Sequence, residues 1–496
     1  MSKQEIRSNK KQLKQKAKQK LFLEGNLFKV LLMLVIPIAL TNIAFQVIPK
    51  NIDLFMATKP EGSEKFTDSL AIISSVQNMF SFMGLSLATA GIVVIGKEYA
   101  KKNYKTAQKM IKTTLFSIIG ITFGIALIAV IIGSPILHKV LSGMEEDVFK
   151  TVRKYYIFLI ISGVLMAVNT VLLGLERVKG NIKTIYLSNA LFVIFKVSIN
   201  LLFVYVIKQK DPYWLGVSTA LSSFLVTIFL VVLFVISLKR DQGELTDSEE
   251  LDNTKTNILK NILKLALPIL GGRLIYESGR LIVLIIGWKI YPSGSLSAVQ
   301  IGDGISAIGL NFGFALEETQ LSIISANLAN KNLKRAFETI KKTLLLNMIL
   351  GFVFTVIFCF FGQELYFLIK GLKEEHRLIG AKKDQFQLGI MIASISGFYT
   401  VVTQGIMIRS MIPFKKPCID MFFALLRVFL KISFIIVLGY WELSPWNKYE
   451  NADNSWQGYH FANLTANTIL LFSVTYYFYF KFYKDIKKNG FEDMRL

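Results

Sequence analysis

Cysteine is scarce in this sequence, and so are the motifs on which enzymes depend. The 496 residues include two cysteines, Cys359 and Cys418, which lie far apart in or beside apolar segments. This number and spacing exclude a disulfide framework and a cysteine-based metal site. The HExxH, paired CxxC and Gly-x-Ser-x-Gly motifs are absent, and a GxxxxGK match at residues 91–97 lacks the following Ser or Thr that would hold magnesium. We therefore expect no enzyme activity, no bound metal and no organic cofactor.

Acidic residues are also few. There are 34 Asp and Glu against 57 Lys and Arg, which gives a formal net charge of +23. Such an excess of positive charge can indicate binding to nucleic acid. Here, however, the basic residues lie between apolar runs and do not form one basic domain with interspersed aromatic side chains. The charge pattern therefore argues against a nucleic-acid partner.

Long apolar runs are what the chain has in abundance. It is 53% hydrophobic, with a mean hydropathy of +0.48. Runs such as Val30–Val47, Tyr155–Leu173 and Leu344–Phe361 approach the roughly 20 residues that cross a hydrocarbon core, and they lack a polar face. We predict an all-α polytopic membrane protein with about 12 transmembrane helices. The predicted spans are residues 28–56, 68–96, 112–138, 153–175, 183–207, 213–238, 258–288, 296–326, 340–370, 385–411, 417–440 and 458–481.

An internal repeat divides these spans into two halves. Residues 99–115 align with residues 328–344, and nine of the 17 positions are identical. A second match aligns residues 195–199 with residues 430–434, which makes Lys196 and Lys431 equivalent positions. Six spans per half give both halves the same orientation in the membrane. We therefore predict two six-helix lobes that are related by a parallel pseudo-two-fold repeat, an arrangement typical of transporters.

The two halves share further features, and the connections between spans indicate orientation. Pro37 and Pro268 lie 231 residues apart in the first and seventh spans, where each predicts a helix kink. Basic residues crowd the N-terminal tail and the connections after even-numbered spans, which places both termini in the cytoplasm and the protein in the cell membrane as a multi-pass protein. The predicted organisation is a basic cytoplasmic tail (1–27), an N-terminal lobe (28–238), a cytoplasmic linker (239–257), a C-terminal lobe (258–481) and a cytoplasmic C-terminal tail (482–496).

Several ionisable residues lie inside the apolar segments. Each would cost a few kcal/mol if it faced lipid, so these side chains are expected to face a cavity or one another. The set comprises Asp53, Lys196, Arg273, Glu277, Arg280, Asp303, Glu317, Glu318, Arg427 and Lys431. Such residues in a transmembrane bundle usually mark a transport path.

Structural explanations for some of these residues remain open. Arg273, Glu277 and Arg280 follow an i, i+4, i+7 spacing on one helical face, so they either neutralise each other or form a functional cluster. For Glu317 and Glu318, the alternative to a place in the transport path is a structural pairing with lysines of the adjacent connection. Asp53 follows a proline at the outer end of the first span, where an interfacial position is the alternative.

Three motifs resemble one family of transporters. Ile36–Pro37 is followed by Asn51–Ala57, a second motif occupies Gly174–Asn181 after the fourth span, and Ala-x-Lys-Asn follows the second and eighth spans. In this order, and with the repeat, they resemble the multidrug and toxic compound extrusion (MATE) family. This family belongs to the multidrug/oligosaccharidyl-lipid/polysaccharide exporter superfamily, which also contains lipid flippases. The resemblance covers nearly all of residues 28–481.

The resemblance implies a V-shaped pair of lobes and export of a small molecule, which we expect to be amphipathic, against an inward gradient of sodium or protons. A monomer in contact with membrane lipids is also expected. In proton-coupled relatives the first span carries an acid, which Asp53 matches, and the fifth span a second acid, at the position of Asn200 here. In sodium-coupled relatives Glu277 matches the acid of the seventh span, but the acid of the tenth span corresponds to Phe398.

The chain departs from the family pattern by adding positive charge. Lys196 lies one turn before Asn200, where the family often has Asn, and Arg427 lies one turn before Lys431. A cationic cavity suits anionic groups such as phosphates. The sequence therefore predicts a secondary active exporter for toxic compounds or drugs, with a flippase for a lipid-linked or other anionic substrate as the alternative.

Overall fold

A computed structural model gives the fold. It describes residues 24–48, 52–53, parts of 73–95, 104–140, 145–178, 181–208, 211–242, 258–290, 295–370, 389–414, 416–440 and 455–489. The predicted basic tail up to residue 23, residues 243–257 of the predicted linker and residues 490–496 lie outside this part of the chain. The described residues form helices and turns, with no β-strand among them.

The helices are numbered here in chain order. They are α1 (Leu27–Asn42), α2 (Tyr104–Ile131), α3 (Gly133–Val140), α4 (Glu146–Val178), α5 (Ile182–Leu201), α6 (Tyr213–Gln242), α7 (Ile258–Ile290), α8 (Ser295–Ala329), α9 (Leu333–Lys370), α10 (Thr403–Ser410), α11 (Cys418–Tyr440), α12 (Ser455–Tyr476) and α13 (Lys484–Asn489). Segments of π-helix occur at Ile43–Val47, Leu202–Val206, Ser396–Val402 and Tyr477–Tyr483.

Helices occupy the described residues of each predicted span, as the sequence indicates. In the part of the chain that the structure describes, six segments are long and apolar enough to cross a membrane: Lys109–Lys139, Glu146–Glu176, Lys183–Val206, Tyr213–Ile236, Leu333–Gly362 and Gly389–Ser410. Several helices extend beyond the predicted spans. Helices α2, α4 and α9 begin earlier, at Tyr104, Glu146 and Leu333, while α6 continues to Gln242 and helical structure at the C-terminal end continues through Asn489.

The outer surface of these helices is rich in apolar side chains. Phe116, Phe360 and Phe472 are each more than 70% exposed, and many Leu, Ile and Val side chains lie near them. A water-soluble protein rarely exposes contiguous apolar surface of this kind, whereas a bilayer solvates it. The exposed face therefore matches a multi-pass protein surrounded by lipid.

Packing follows the order of the helices within each half of the chain. Helix α4 packs against α2, α5 and α6, while α7 packs against α11 and α8 against α9. Helix α1 contacts both α5 and α8, and so connects the two halves. Gly279 permits the close approach of α7 to α11, because a Cβ at this position would lie 2.3 Å from Cγ2 of Val428. The parallel repeat of two lobes stays a prediction.

The end of α1 is irregular, and this end leads to Asp53. Pro37 lies inside α1 and cannot donate a backbone hydrogen bond. The Thr41 hydroxyl donates to the Pro37 carbonyl oxygen (2.7 Å) and accepts a hydrogen bond from the Asn189 amide of α5 (2.9 Å). The π-helical turn Ile43–Val47 follows. Pro268 likewise lies inside α7; the kinks themselves stay predictions.

The Ala-x-Lys-Asn motif after the eighth span forms the turn between α8 and α9. Lys331 adopts a left-handed backbone conformation (φ 58°), and the Asn332 N–H donates to the Asn327 carbonyl oxygen (2.8 Å). The Asn332 side chain then accepts a hydrogen bond from the backbone N–H of Arg335 (3.1 Å). Asn332 therefore caps the start of α9, which explains the Asn of the motif in local terms.

Candidate functional site

A sealed ion pair lies among the N-terminal helices. Lys196 Nζ is 2.6 Å from Asp53 Oδ1, and the two side chains are 0% and 4% exposed. Asp53 is therefore buried among the helices, and its depth in the membrane stays a prediction. The positive charge that Lys196 adds to the family pattern is neutralised by the acid of the first span.

Lys196 donates to more than Asp53. Its ammonium also lies within hydrogen-bond distance of the Leu215 carbonyl oxygen (3.0 Å), Ser218 Oγ (2.8 Å) and Thr219 Oγ1 (2.6 Å). An ammonium has three hydrogens, so these three acceptors together with Asp53 Oδ1 saturate it. We call the ammonium and its oxygen neighbours the Lys196 site.

The second oxygen of Asp53 is held as well. Tyr155 donates its hydroxyl to Asp53 Oδ2 at 3.1 Å, and the Thr219 hydroxyl lies 3.3 Å from the same atom. Ser218 in turn donates to Oδ1 of Asn200, one helical turn after Lys196. The site thus combines side chains from the end of the first span and from α4, α5 and α6.

Energetics explain why such a pair needs these neighbours. Removing two charges from water costs several kcal/mol per ion, and the attraction between them offsets this only with good geometry and additional hydrogen bonds. The hydroxyls of Tyr155, Ser218 and Thr219 supply those hydrogen bonds. Loss of either charge would leave the other uncompensated in a buried position, which costs several kcal/mol.

A second buried ion pair lies among the C-terminal helices. Arg409 Nε of α10 is 2.8 Å from Glu317 Oε2 of α8, and both side chains are buried. Glu317 therefore pairs with an arginine of α10, and the alternative of a pairing with a lysine of the adjacent connection is wrong for Glu317. Arg273 of α7 is buried nearby and interacts electrostatically with Arg409 and with Glu317 and Glu318.

A third group of charges surrounds Tyr276 of α7. The Arg427 guanidinium carbon lies 5.2 Å from the centre of the Tyr276 ring, and Lys431 Nζ lies 5.6 Å from it. Arg427 Nη2 also donates to Gln404 Oε1 at 2.5 Å. Arg427, Lys431 and Tyr276 are half-buried, unlike the two ion pairs. We call these three residues the Tyr276 face.

The remaining predicted site residues lie at various depths. Glu277 is buried beside Tyr276 on α7, and Arg280 is half-buried one turn further on. Asn200 is buried within hydrogen-bond distance of Ser218. Asp303 lies in α8, but its side chain is outside the described part of the structure. Phe398, which replaces the tenth-span acid of sodium-coupled relatives, is buried and stacks on Phe354 with ring centres 5.7 Å apart.

Sequence reasoning missed the polar residues around these charges. Tyr155, Thr219 and Gln404 contact the predicted residues but carry no charge that would distinguish them in an apolar helix. One signal was present in α6, where Ser218, Thr219, Ser222 and Ser223 place four hydroxyls in an otherwise apolar segment. A cluster of hydroxyls in a transmembrane helix indicates hydrogen bonding between helices.

Solved structures share this architecture. A MATE transporter crystallised in complex with MaL6 aligns with a TM-score of 0.71 and 14% identity, covering 92% of this chain and 97% of that one. A multidrug resistance MATE family transporter in an outward-facing conformation aligns with a TM-score of 0.70 and 13% identity, over 92% and 96% of the two chains.

The description of a third solved structure concerns the polarity of its binding pocket. This is a MOP superfamily transporter from Pyrococcus furiosus Vc1, for which a reverse polarity of the binding pocket is described as suggesting a different function. It aligns with a TM-score of 0.70 and 13% identity, again over 92% of this chain and 96% of that one. No curated protein matches the sequence.

Family membership rests on the sequence as well as on the fold. The family model named MatE matches residues 37–206 and 268–434, which together make up well over half of the chain. The matched regions contain both Asp53 and Lys196, as well as the Tyr276 face. MATE family members are transporters rather than enzymes. The chain is therefore a multi-pass membrane transporter of the MATE family, within the MOP superfamily.

Proposed function

We propose that this transporter is a secondary active exporter that moves small amphipathic compounds out of the cell by alternating access, driven by an inward proton gradient. The observation that carries the proposal is the buried Asp53–Lys196 ion pair. A buried ion pair is stable only while both charges are present. It can therefore serve as a two-state element that a proton switches.

The choice of a proton over sodium follows from the contacts of Asp53. Its carboxylate already has a cation 2.6 Å away, and that cation is covalently part of the chain. A sodium ion at Asp53 would have to displace the Lys196 ammonium. A proton needs only one lone pair on a carboxylate oxygen of Asp53. Proton binding neutralises Asp53 and leaves Lys196 uncompensated, which disfavours the conformation that buries it.

The Tyr276 face is the proposed substrate contact. Half-buried aromatic and charged side chains on α7 and α11 offer both an apolar surface and polar groups to an amphipathic molecule. Such mixed surfaces are typical of small-molecule sites. Glu277 beside Tyr276 would attract the positive end of an organic cation.

The test is export by purified protein in proteoliposomes. With ethidium as the probe, an imposed proton gradient should drive transport, and a sodium gradient of equal size should not. Asp53→Asn should reduce proton-driven export at least about tenfold, because the switched charge is gone. Normal proton-driven export by Asp53→Asn, or export that follows sodium alone, would overturn the proposal.

A second candidate function is the flipping of a lipid-linked anionic substrate. The observation that favours it is the shared position of Arg427 and Lys431 over one aromatic ring, since these side chains bind phosphates well. Stabilisation of the purified protein by a lipid pyrophosphate head group, and not by ethidium, would select this function.

We also propose the topology that the basic connections indicate, with a monomer in the cell membrane and both termini in the cytoplasm. Lys208 and Lys331 suit a matched test, because both are exposed in short connections and share a left-handed backbone. In a background without Cys359 and Cys418, a membrane-impermeant maleimide added outside should label Lys208→Cys and spare Lys331→Cys. The opposite pattern would invert the orientation.

A further inference from the structure

We infer that the Lys196 site is an alkali-cation pocket whose occupant is the tethered ammonium of Lys196, and that shortening this side chain to Asn creates a sodium-binding site. The inference deepens the proposed function, since it states why sodium cannot replace a proton at Asp53. It concerns binding by the purified protein, so it can be tested without transport.

The pocket has the ligands that a hard monovalent cation prefers. Around the ammonium lie a carboxylate oxygen of Asp53, the carbonyl oxygen of Leu215 and the hydroxyls of Ser218 and Thr219. All four are oxygen atoms between 2.6 and 3.0 Å from Nζ. Hard cations in proteins are bound by carboxylate, carbonyl and hydroxyl oxygens of this kind.

The charge balance also fits one monovalent cation. Asp53 contributes one negative charge, and Lys196 contributes the one positive charge that neutralises it at contact distance. The other described ligands of the ammonium are neutral. If the ammonium is removed, a buried carboxylate with oriented oxygens remains, and such a carboxylate binds a cation or a proton to recover its lost stability.

Asn200 supplies a further ligand for the opened pocket. Its side chain is buried, accepts the Ser218 hydroxyl at Oδ1, and has an Nδ2 group with no hydrogen-bond partner among the described residues. The amide oxygen Oδ1 lies beside Ser218 and can serve as an additional oxygen ligand for an ion in the opened pocket. An Asn at position 196 adds a second amide oxygen on the same face of α5, one turn away.

The experiment is a thermal-shift titration of purified, full-length protein in detergent, with sodium chloride replaced stepwise by choline chloride at constant ionic strength. Lys196→Asn should gain about 2 °C or more in Tm at saturating sodium, because a ligand that binds only the folded state raises its stability. Lithium serves as a second probe ion. Wild type should show no sodium-specific shift, since the ammonium fills the pocket.

Two variants serve as matched controls. Lys431→Asn removes the same charge at the equivalent position of the predicted repeat and should show no sodium-specific shift. Asp53→Asn/Lys196→Asn keeps the pocket neutral but lacks the carboxylate, so its response to sodium should be lost. A sodium-specific shift of equal size in wild type, or its persistence in the double variant, would contradict the inference.

Failure of the single variant to fold is informative too. If Lys196→Asn aggregates in sodium, lithium and choline alike while the double variant stays monodisperse, no alkali cation can replace the ammonium and the inference is wrong. The result of the sodium titration can also be distinguished from the success or failure of the proposed function. Sodium binding by Lys196→Asn would stand even if wild-type export proved not to be proton-driven, and proton-driven export would stand if the variant bound no sodium.

Discussion

Lys196 and Lys431 occupy equivalent positions in the sequence repeat, yet their surroundings differ sharply. Lys196 is sealed between helices and saturated by oxygens, with Asp53 at 2.6 Å. Lys431 is half-buried and lies over the ring of Tyr276. Two lysines at equivalent positions of a repeat can therefore have different roles. The sealed one suits a switch that a single proton operates, and the accessible one suits contact with a transported molecule.

The largest predicted effect of this difference concerns stability. Lys196→Ala should destabilise the protein by about 3–5 kcal/mol, because Asp53 is left as an uncompensated buried charge. Lys431→Ala should cost less, because Lys431 is half-buried and solvent screens part of its charge. Denaturant or thermal unfolding of the two variants in the same detergent makes the comparison. Equal losses for the two variants would show that the sites do not differ as described.

A double-mutant cycle sharpens the same comparison. Adding Asp53→Asn to Lys196→Ala should recover much of the lost stability, since no unpaired charge remains in the site. Adding Asp53→Asn to Lys431→Ala should give additive losses, because no described contact joins these two side chains. Recovery in the second combination would indicate coupling between the Lys196 site and the Tyr276 face.

A smaller loss of stability should distinguish the hydroxyls that hydrogen-bond to the Asp53–Lys196 ion pair from neighbouring hydroxyls that do not. Tyr155→Phe and Thr219→Val each remove a hydrogen-bond partner of the ion pair and should cost about 1–2 kcal/mol. Ser222→Ala is the matched control, because its hydroxyl bonds to the Ser218 carbonyl oxygen (2.6 Å) of its own helix. Its cost should stay below about 0.5 kcal/mol. A larger loss of stability for Ser222→Ala than for Thr219→Val would show that the Thr219 hydroxyl does not stabilise the ion pair.

The sequence predicted the helices well because span length and apolar runs are local properties. It also singled out Asp53 and Lys196, since a charge in an apolar helix is costly wherever it lies. It did not reveal that these two residues are partners. They are 143 positions apart, and only the packing of the first span against α5 brings them together.

Other features depended on packing for the same reason. Glu317 precedes a connection that is rich in lysine, so the sequence alone suggested a lysine as its partner. In the fold its partner is Arg409, which is 92 positions away and lies on the neighbouring α10. Tyr155 and Thr219 are ordinary residues of transmembrane helices, and their roles follow from where α4 and α6 place them relative to Asp53.

Proton release on substrate binding tests the central claim most directly, because it reports on Asp53 without a membrane or a gradient. Ethidium added to lightly buffered, purified wild-type protein, at a pH low enough that Asp53 carries a proton and its ion pair with Lys196 is broken, should release about one proton per bound molecule, if substrate and proton compete through Asp53. Asp53→Asn should release none. Glu317→Gln, which breaks the other buried ion pair, should still release the proton as wild type does. Unchanged release from Asp53→Asn, or loss of release in Glu317→Gln alone, would contradict the assignment of proton coupling to Asp53.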